Sequence, residues 1–383
     1  MNPNDKLRTI VLQPTSLCNL NCKYCYLAET SRRTPAKMPD LILESILEKV
    51  FSYSDVQNPL KLVWHAGEPL TAGLNFYKNA LALIEKHKPS GFHLEQMIQT
   101  NGVLINEAWC EFIKAAKITM GVSLDGPQHI HDANRVTWKG KGSFELTMRG
   151  VRRLQENNIP FYALFVVTER SLDYPEEIFN FFVDNEISTV GFNIEELSGA
   201  NMASSLSQKE TIEERYKSFL SKFIELWMKH HPKLKVREFE RLNAYIYKKK
   251  EDPNFQASSI VSSEKGILTF GLNGDIVPFS PELASGTSSD PSKFVVGNIT
   301  KIQNMADIYK EENFLKSYYS IQKGVKKCEK ECQYFDLCGG GHSANKYYEH
   351  QSFAVSETRY CQLYFQRMID LLIDQLTSCK AHG

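Results

Sequence analysis

The chain contains no stretch approaching the ~18 consecutive apolar residues that would cross a membrane. Its opening, MNPNDKLRTIVLQPT, has no apolar run before a small-residue cleavage site, so it does not read as a signal peptide. No charge of one sign is in excess. Lys+Arg and Asp+Glu stand at 45 each, so the basic field expected of a nucleic-acid binder or a chain bound to anionic membrane is missing. Internal repeats and low-complexity tracts are also missing, and no cysteine occurs between 111 and 327. A cytoplasmic location is expected, with no nucleic acid and no membrane among its partners. Thiols stay reduced there, so the nine cysteines read as metal ligands or reactive thiols and not as a disulfide frame.

What is present is strongly ordered. At 383 residues, 42% of them apolar, the chain suits two domains. From residue 7 to about 231, β-rich apolar runs (7–12, 60–65, 93–99, 119–124, 161–167, 189–194) alternate with segments of helical period (39–51, 75–87, 107–116, 143–156, 175–184, 209–230). The last helix opens on a capping box, Ser207-Gln-Lys-Glu210, and carries Ile212, Tyr216, Phe219, Phe223 and Leu226 on one face. Six such units predict an α/β fold: a partial (β/α)6 TIM-type barrel over 1–235, its active site at the carboxyl ends of the strands. Lys248-Lys-Lys-Glu-Asp-Pro253 reads as a solvated linker. Short strands around the turn Leu272-Asn-Gly-Asp275 and an amphipathic helix at 357–377 complete a second unit over 236–383.

The cysteines are clustered. Cys18-Asn-Leu-Asn-Cys22-Lys-Tyr-Cys25 follows the first strand directly. Three thiolates can hold three corners of an iron–sulfur cubane and leave the fourth iron open to a small chelating molecule. A structural zinc site would normally close its shell with a fourth protein ligand, and no fourth cysteine lies nearby.

This C-x3-C-x2-C loop resembles that of the radical S-adenosylmethionine (SAM) superfamily. The resemblance implies a [4Fe–4S] cluster on Cys18, Cys22 and Cys25 whose open iron takes the amino and carboxylate groups of SAM. Cleavage of SAM would then yield a 5′-deoxyadenosyl radical. Further landmarks follow in order. Tyr24 resembles the aromatic beside the SAM adenine. His65-Ala-Gly-Glu-Pro69 resembles the GGEP motif, in which Gly67 would meet the SAM amino group and Glu68 would support the loop. Ser123-Leu-Asp-Gly-Pro127 would offer Ser123 and Asp125 to the ribose hydroxyls, and Arg135 would face the SAM carboxylate.

Cys328-x3-Cys332-x5-Cys338-Gly-Gly-Gly-His342, with Cys361 beyond, resembles the C-terminal SPASM domain of peptide-modifying members, which holds two auxiliary clusters. This chain departs from that pattern. After Asn273-Gly-Asp275-Ile-Val-Pro278, Phe279 stands where a cysteine is expected, and His342 replaces the last cysteine of the central run. One auxiliary cluster thus loses its ligands. The other keeps Cys328, Cys332, Cys338 and Cys361, a set that could also hold structural zinc. Two [4Fe–4S] clusters are expected in all.

Two SPASM groups are similar over most of the chain. The anaerobic sulfatase-maturing enzymes share Gln99-Thr-Asn-Gly102 but place an aspartate base after the cysteine at the Phe279 position, where this chain has Ser280. The cyclophane-forming maturases of glycine-rich ribosomal peptides share Val11-Leu-Gln-Pro-Thr-Ser-Leu-Cys18 and Phe192-Asn-Ile-Glu-Glu196. By that resemblance the radical removes a side-chain hydrogen from a precursor peptide. The carbon radical attacks an aromatic ring, and the auxiliary cluster takes the electron released. Glu195, Glu196 and His65 are the candidate bases or peptide contacts, and Glu196 also stands as a SAM contact. The implied partners are a precursor peptide with its leader and an electron donor such as flavodoxin or ferredoxin, and the leader would dock on the barrel, on the linker region or on a separate leader-binding protein. Epimerisation, thioether formation, formylglycine formation and a catalytically dead scaffold are the alternatives.

Overall fold

An apolar run that is buried on both faces needs a parallel neighbour on each side and a helix packed over it. The computed structural model, which describes residues 5–207, 210–286, 290 and 292–380, follows that rule over its first half. Strands β1 (Leu7–Leu12), β2 (Val56–Trp64), β3 (Leu94–Thr100), β4 (Thr119–Ser123), β5 (Phe161–Val167) and β6 (Thr189–Ile194) lie side by side in chain order, all parallel. Helices Asp40–Ser52, Leu74–His87, Glu107–Ala116, Phe144–Glu156, Pro175–Asp184 and Glu210–His230 follow them in turn. Leu12 pairs with Trp64, Trp64 with Ile98, Thr100 with Val122 and Ser123 with Leu164, so the carboxyl ends of the strands come out level.

Beyond these, β7 (Lys235–Val236) extends the sheet past β6. On the other side β8 (Ile267–Phe270) pairs parallel with β1, and β9 (Asp275–Pro278) and β10 (Gly297–Asn298) add antiparallel. The result is one open sheet of ten strands that runs across residue 235. Among the described residues no helix is long and apolar enough to cross a membrane.

Strand side chains on the outer face meet the helices through aromatic rings. Trp64 packs edge-on against Phe76 and Tyr77, and Phe192 packs against Phe219, Phe223 and Phe239. The inner face is polar instead. The Tyr162 hydroxyl donates to Gln99 Oε1 at 3.1 Å, and Gln99 Nε2 donates to Ser123 Oγ at 3.1 Å. This contact needs Gly121, because a Cβ there would lie 2.2 Å from Gln99 Oε1.

Two expectations change. Lys248 to Glu251 are not linker. They form the end of helix Arg237–Glu251, where Lys248, Lys249 and Lys250 sit at the favourable end of the helix dipole, and Lys249 pairs with Asp336 at 2.6 Å. The terminal helix starts at Arg359 and passes through a π-helical turn, Gln362–Arg367, before Met368–Lys380. Residues 208 and 209 of the expected cap at 207–210 lie outside the described residues.

Phe279, in place of the expected cysteine, is 1% exposed and held at φ 71°. Its ring stacks on Phe314 at 5.3 Å and on Tyr318 at 6.5 Å. An aromatic stack therefore fills this part of the C-terminal half. Phe279→Ala is expected to cost about 3–5 kcal/mol, read as a lower denaturant midpoint with an unchanged slope.

Candidate active site

The loop after β1 is fastened from two sides. Cys18 N–H donates to Arg32 O at 2.9 Å, and the buried Arg32 guanidinium returns to Leu27 O at 3.0 Å and Asn21 Oδ1 at 2.9 Å. On the other flank Asn21 and Lys23 donate backbone N–H groups to Val136 O and Asn134 O, and Trp138 Nε1 donates to Cys18 O at 2.8 Å. Cys18, Cys22 and Cys25 are thus held close enough to act electrostatically on one another. Burial pushes all three thiols up, Cys22 to about 11, while Arg135 and Arg32 pull Cys22 back. Backbone amides of Leu20 and Leu27 point at Cys18 and Cys25 and favour their thiolates.

Among the described residues no three His, Cys, Asp or Glu side chains converge as ligands of one metal ion. Cubane thiolates need not do so, since each binds a different iron. Buried thiols with cations and amide donors aimed at them fit an iron–sulfur cluster, which takes thiolates.

The end of β2 presses on this loop. Gly67 has φ 62°, and a Cβ there would sit 2.8 Å from the carbonyl oxygens of Thr15, Ser16 and Leu17. Glu68, 1% exposed, accepts from Leu70 N–H at 3.0 Å, Thr100 Oγ1 at 2.7 Å and Asn101 N–H at 2.7 Å. Burial raises its pKa and these donors lower it. Asn101 Nδ2 in turn donates to Asn19 Oδ1 at 2.7 Å.

Beyond β4, Asp125 and Arg135 form a buried two-point ion pair, both contacts 3.0 Å. Asp125 also accepts from the Tyr24 hydroxyl and from Val166 N–H, and Arg135 lies over the Tyr24 ring at 5.4 Å. In this structure, then, Tyr24, Asp125 and Arg135 hold one another, and Ser123 meets Gln99.

His65 lines a cavity of about 490 Å³ with Val11, Gln13, Tyr26, Ala66, Gly199 and Ala284, and its Nε2 is 3.2 Å from the Tyr26 hydroxyl. Burial lowers the pKa of His65, so the imidazole is neutral at pH 7. Glu196 is hydrogen-bonded by Asn345, and its carboxyl is pushed up to about 8 by burial and by Glu282. Glu195 instead accepts from Ser205 N–H at 2.8 Å and from the Ser205 hydroxyl, bracing a turn. Sequence reasoning missed Glu282, which accepts from the Ser280 hydroxyl and acts electrostatically on Tyr26, His65, Glu196 and His342. Its only sequence signal is its place two residues after Ser280.

The remaining cysteines meet elsewhere. Cys328, Cys332, Cys338 and Cys361 line one small enclosed cavity. Burial raises Cys338 to about 11, against amide donors from Gly340 and Gly341, and Thr358 N–H donates to Cys361 Sγ at 3.2 Å. Four thiols with such donors fit a closed cluster shell, and by donor type they fit zinc as well.

Glu196 supplies a pH test. Its folded pKa of about 8 exceeds the ordinary 4.5, so the folded state holds the extra proton and loses stability as pH rises from 4.5 to about 8. Glu196→Gln is expected to flatten that slope, checked by denaturant melts across this range.

The model of the Radical SAM superfamily matches residues 12–182. An uncharacterised protein of Synechocystis sp. is 40% identical over 371 residues, 96% of this chain and 91% of that one. A serine-type anaerobic sulfatase-maturating enzyme of Bacteroides thetaiotaomicron is 27% identical over 378 residues, covering 93% and 87%. Among solved structures, anSMEcpe with bound AdoMet overlays at TM-score 0.79 with 24% identity, covering 97% and 98%. Streptococcus suis SuiB bound to precursor peptide SuiA overlays at 0.64 with 17% identity, covering 93% and 76%. With the cysteine loop, the strand-end motifs and the parallel open barrel all in place, the chain belongs to the radical SAM superfamily.

Proposed function

We propose that the protein is a peptide maturase that removes a hydrogen atom from a side-chain carbon of a ribosomally made precursor and closes a cyclophane-type C–C cross-link. The observation that carries this reading is the 490 Å³ cavity. It lies beside the cysteine loop, and its lining is largely small and uncharged (Ala28, Ala66, Gly199, Ala200, Ala284), with the larger Val11, Gln13, Tyr26 and Leu27 and with His65. Such walls suit an extended peptide with small residues flanking a reacting side chain. Relatives named for work on peptides or sulfatases support the substrate class.

SAM and the cluster, when bound, supply the 5′-deoxyadenosyl radical. Cys18, Cys22 and Cys25 would hold the cluster; Tyr24, Gly67, Glu68, Ser123, Asp125, Arg135 and Glu196 would shape the SAM side of the strand ends. His65, neutral through burial, is the proton acceptor when the ring adduct rearomatises, and the Tyr26 hydroxyl orients it. Glu196 is protonated at pH 7 and so serves as a hydrogen-bond donor or peptide contact rather than as the base. Glu195 is occupied by Ser205 and has a positioning role. Cys328, Cys332, Cys338 and Cys361 would hold an auxiliary [4Fe–4S] cluster, which when bound would supply the acceptor for the electron. In this reading 1–235 is the catalytic barrel and 236–383 the auxiliary-cluster unit. A low-potential donor such as flavodoxin or ferredoxin and a separate leader-binding protein complete the system.

Likeness to the sulfatase-maturating enzymes favours a second reading, oxidation of serine or cysteine to formylglycine. The hydroxyl of Ser280 is a poor base for it at neutral pH.

Cys18→Ala, Cys22→Ala and Cys25→Ala are each expected to abolish 5′-deoxyadenosine release, followed by chromatography after anaerobic reconstitution. His65→Asn and Cys332→Ala, once shown to be folded, should keep that release but form little product. For the natural reaction, mass spectrometry of the co-expressed precursor should show loss of two hydrogens and no labelling by an aldehyde-reactive hydrazide. Hydrazide labelling would establish formylglycine instead.

A further inference from the structure

The C-terminal cysteine cavity contains a cation that neither the motif nor the mechanism above uses. Lys346 lies on helix Ser343–His350 and is 4% exposed, and its Nζ donates to Cys328 Sγ at 3.2 Å. Cys328, also 4% exposed, sits in the last turn of helix Glu312–Glu331. Lys346 also acts electrostatically on Cys332 and lines the cavity shared by all four thiols. The glycine run packs over its stem, with a Cβ at Gly341 falling 3.6 Å from Lys346 Cε.

A buried ammonium is costly unless a negative group faces it. Surface lysines are ordinarily solvated; this one is enclosed, and the partner its Nζ meets is a thiol rather than a carboxylate. A cluster held by four thiolates carries net negative charge and gains one more on accepting an electron. A fixed cation against one sulfur stabilises the more negative state more, and the low dielectric of the interior strengthens the effect.

We infer that Lys346 is the residue that tunes the auxiliary cluster, its fixed positive charge against Cys328 raising the potential at which the cluster accepts one electron. The inference rests on the auxiliary cluster of the proposed function. In the balanced step the ring adduct gives one proton to His65 and one electron to the oxidised cluster, which is reduced by one unit. Lys346 itself gains and loses nothing.

The test uses the full-length chain carrying Cys18→Ala, Cys22→Ala and Cys25→Ala, so that only the auxiliary cluster reports. Iron and zinc analysis comes first; about four irons per chain are expected. Zinc, or no iron, would remove the auxiliary-cluster reading and this inference with it, an outcome distinct from failure of the inference alone. Redox titration followed by electron paramagnetic resonance is then compared for Lys346, Lys346→Met and Lys346→Arg. Lys346→Met is expected to lower the midpoint by the equivalent of about tenfold in the one-electron equilibrium, roughly 59 mV. Lys346→Arg should retain most of the potential. Loss of iron in Lys346→Met with retention in Lys346→Arg also supports the role, because charge is then what the thiolates require. An unchanged midpoint in Lys346→Met, or loss of iron in both variants, overturns it.

Discussion

The site depends on how closely β2 approaches the cysteine loop. Gly67 lies against three consecutive carbonyl oxygens, Thr15 to Leu17, with no room for a methyl group. The next residue, Glu68, donates its N–H to Leu17 O at 2.8 Å, and its side chain collects donors from the end of β3. One dipeptide thus ties the ends of three strands together. Because the strands finish level, the cysteine loop, Asp125 and His65 all stand just beyond their carboxyl ends.

Charge is disposed around this space in an orderly way. Arg32 and Arg135 stand beside the thiols, and both oxygens of Asp125 are taken. His65, Glu196, Glu282 and His342 gather instead where the two halves of the chain meet. Burial pushes the two histidines towards neutrality and Glu196 towards protonation. Fixed cations stand beside the loop, and the groups that burial biases towards their uncharged forms stand at the seam between the halves.

The barrel was legible because the strands are rich in apolar residues and each following helix has its own stripe; both are local patterns. The cysteine loop was legible for the same reason, with three ligands inside eight residues. Long-range partners were not. Nothing near Glu282 in sequence marks it as a neighbour of His65, since β8 must first lie beside β1 to bring the 281–285 turn there. Lys248 to Glu251 looked like linker because a charged last turn and a solvated break share a composition, and only the pairing with Asp336 separates them. Lys346 was hidden by its residue type, which ordinarily signals surface.

The aromatic stack of Phe279, Phe314 and Tyr318 changes how this chain is assembled in the cell. Benzene rings need no iron supply, no sulfide and no delivery machinery, and dioxygen does not dismantle them. The region around β9 can therefore reach its final shape during synthesis, before any metal arrives. The clustered thiols that remain to take metal are those of the cysteine loop and the C-terminal cavity. What the plug lacks is a thiol: no ligand for a redox centre stands at Phe279, between the sheet and helix Glu312–Glu331.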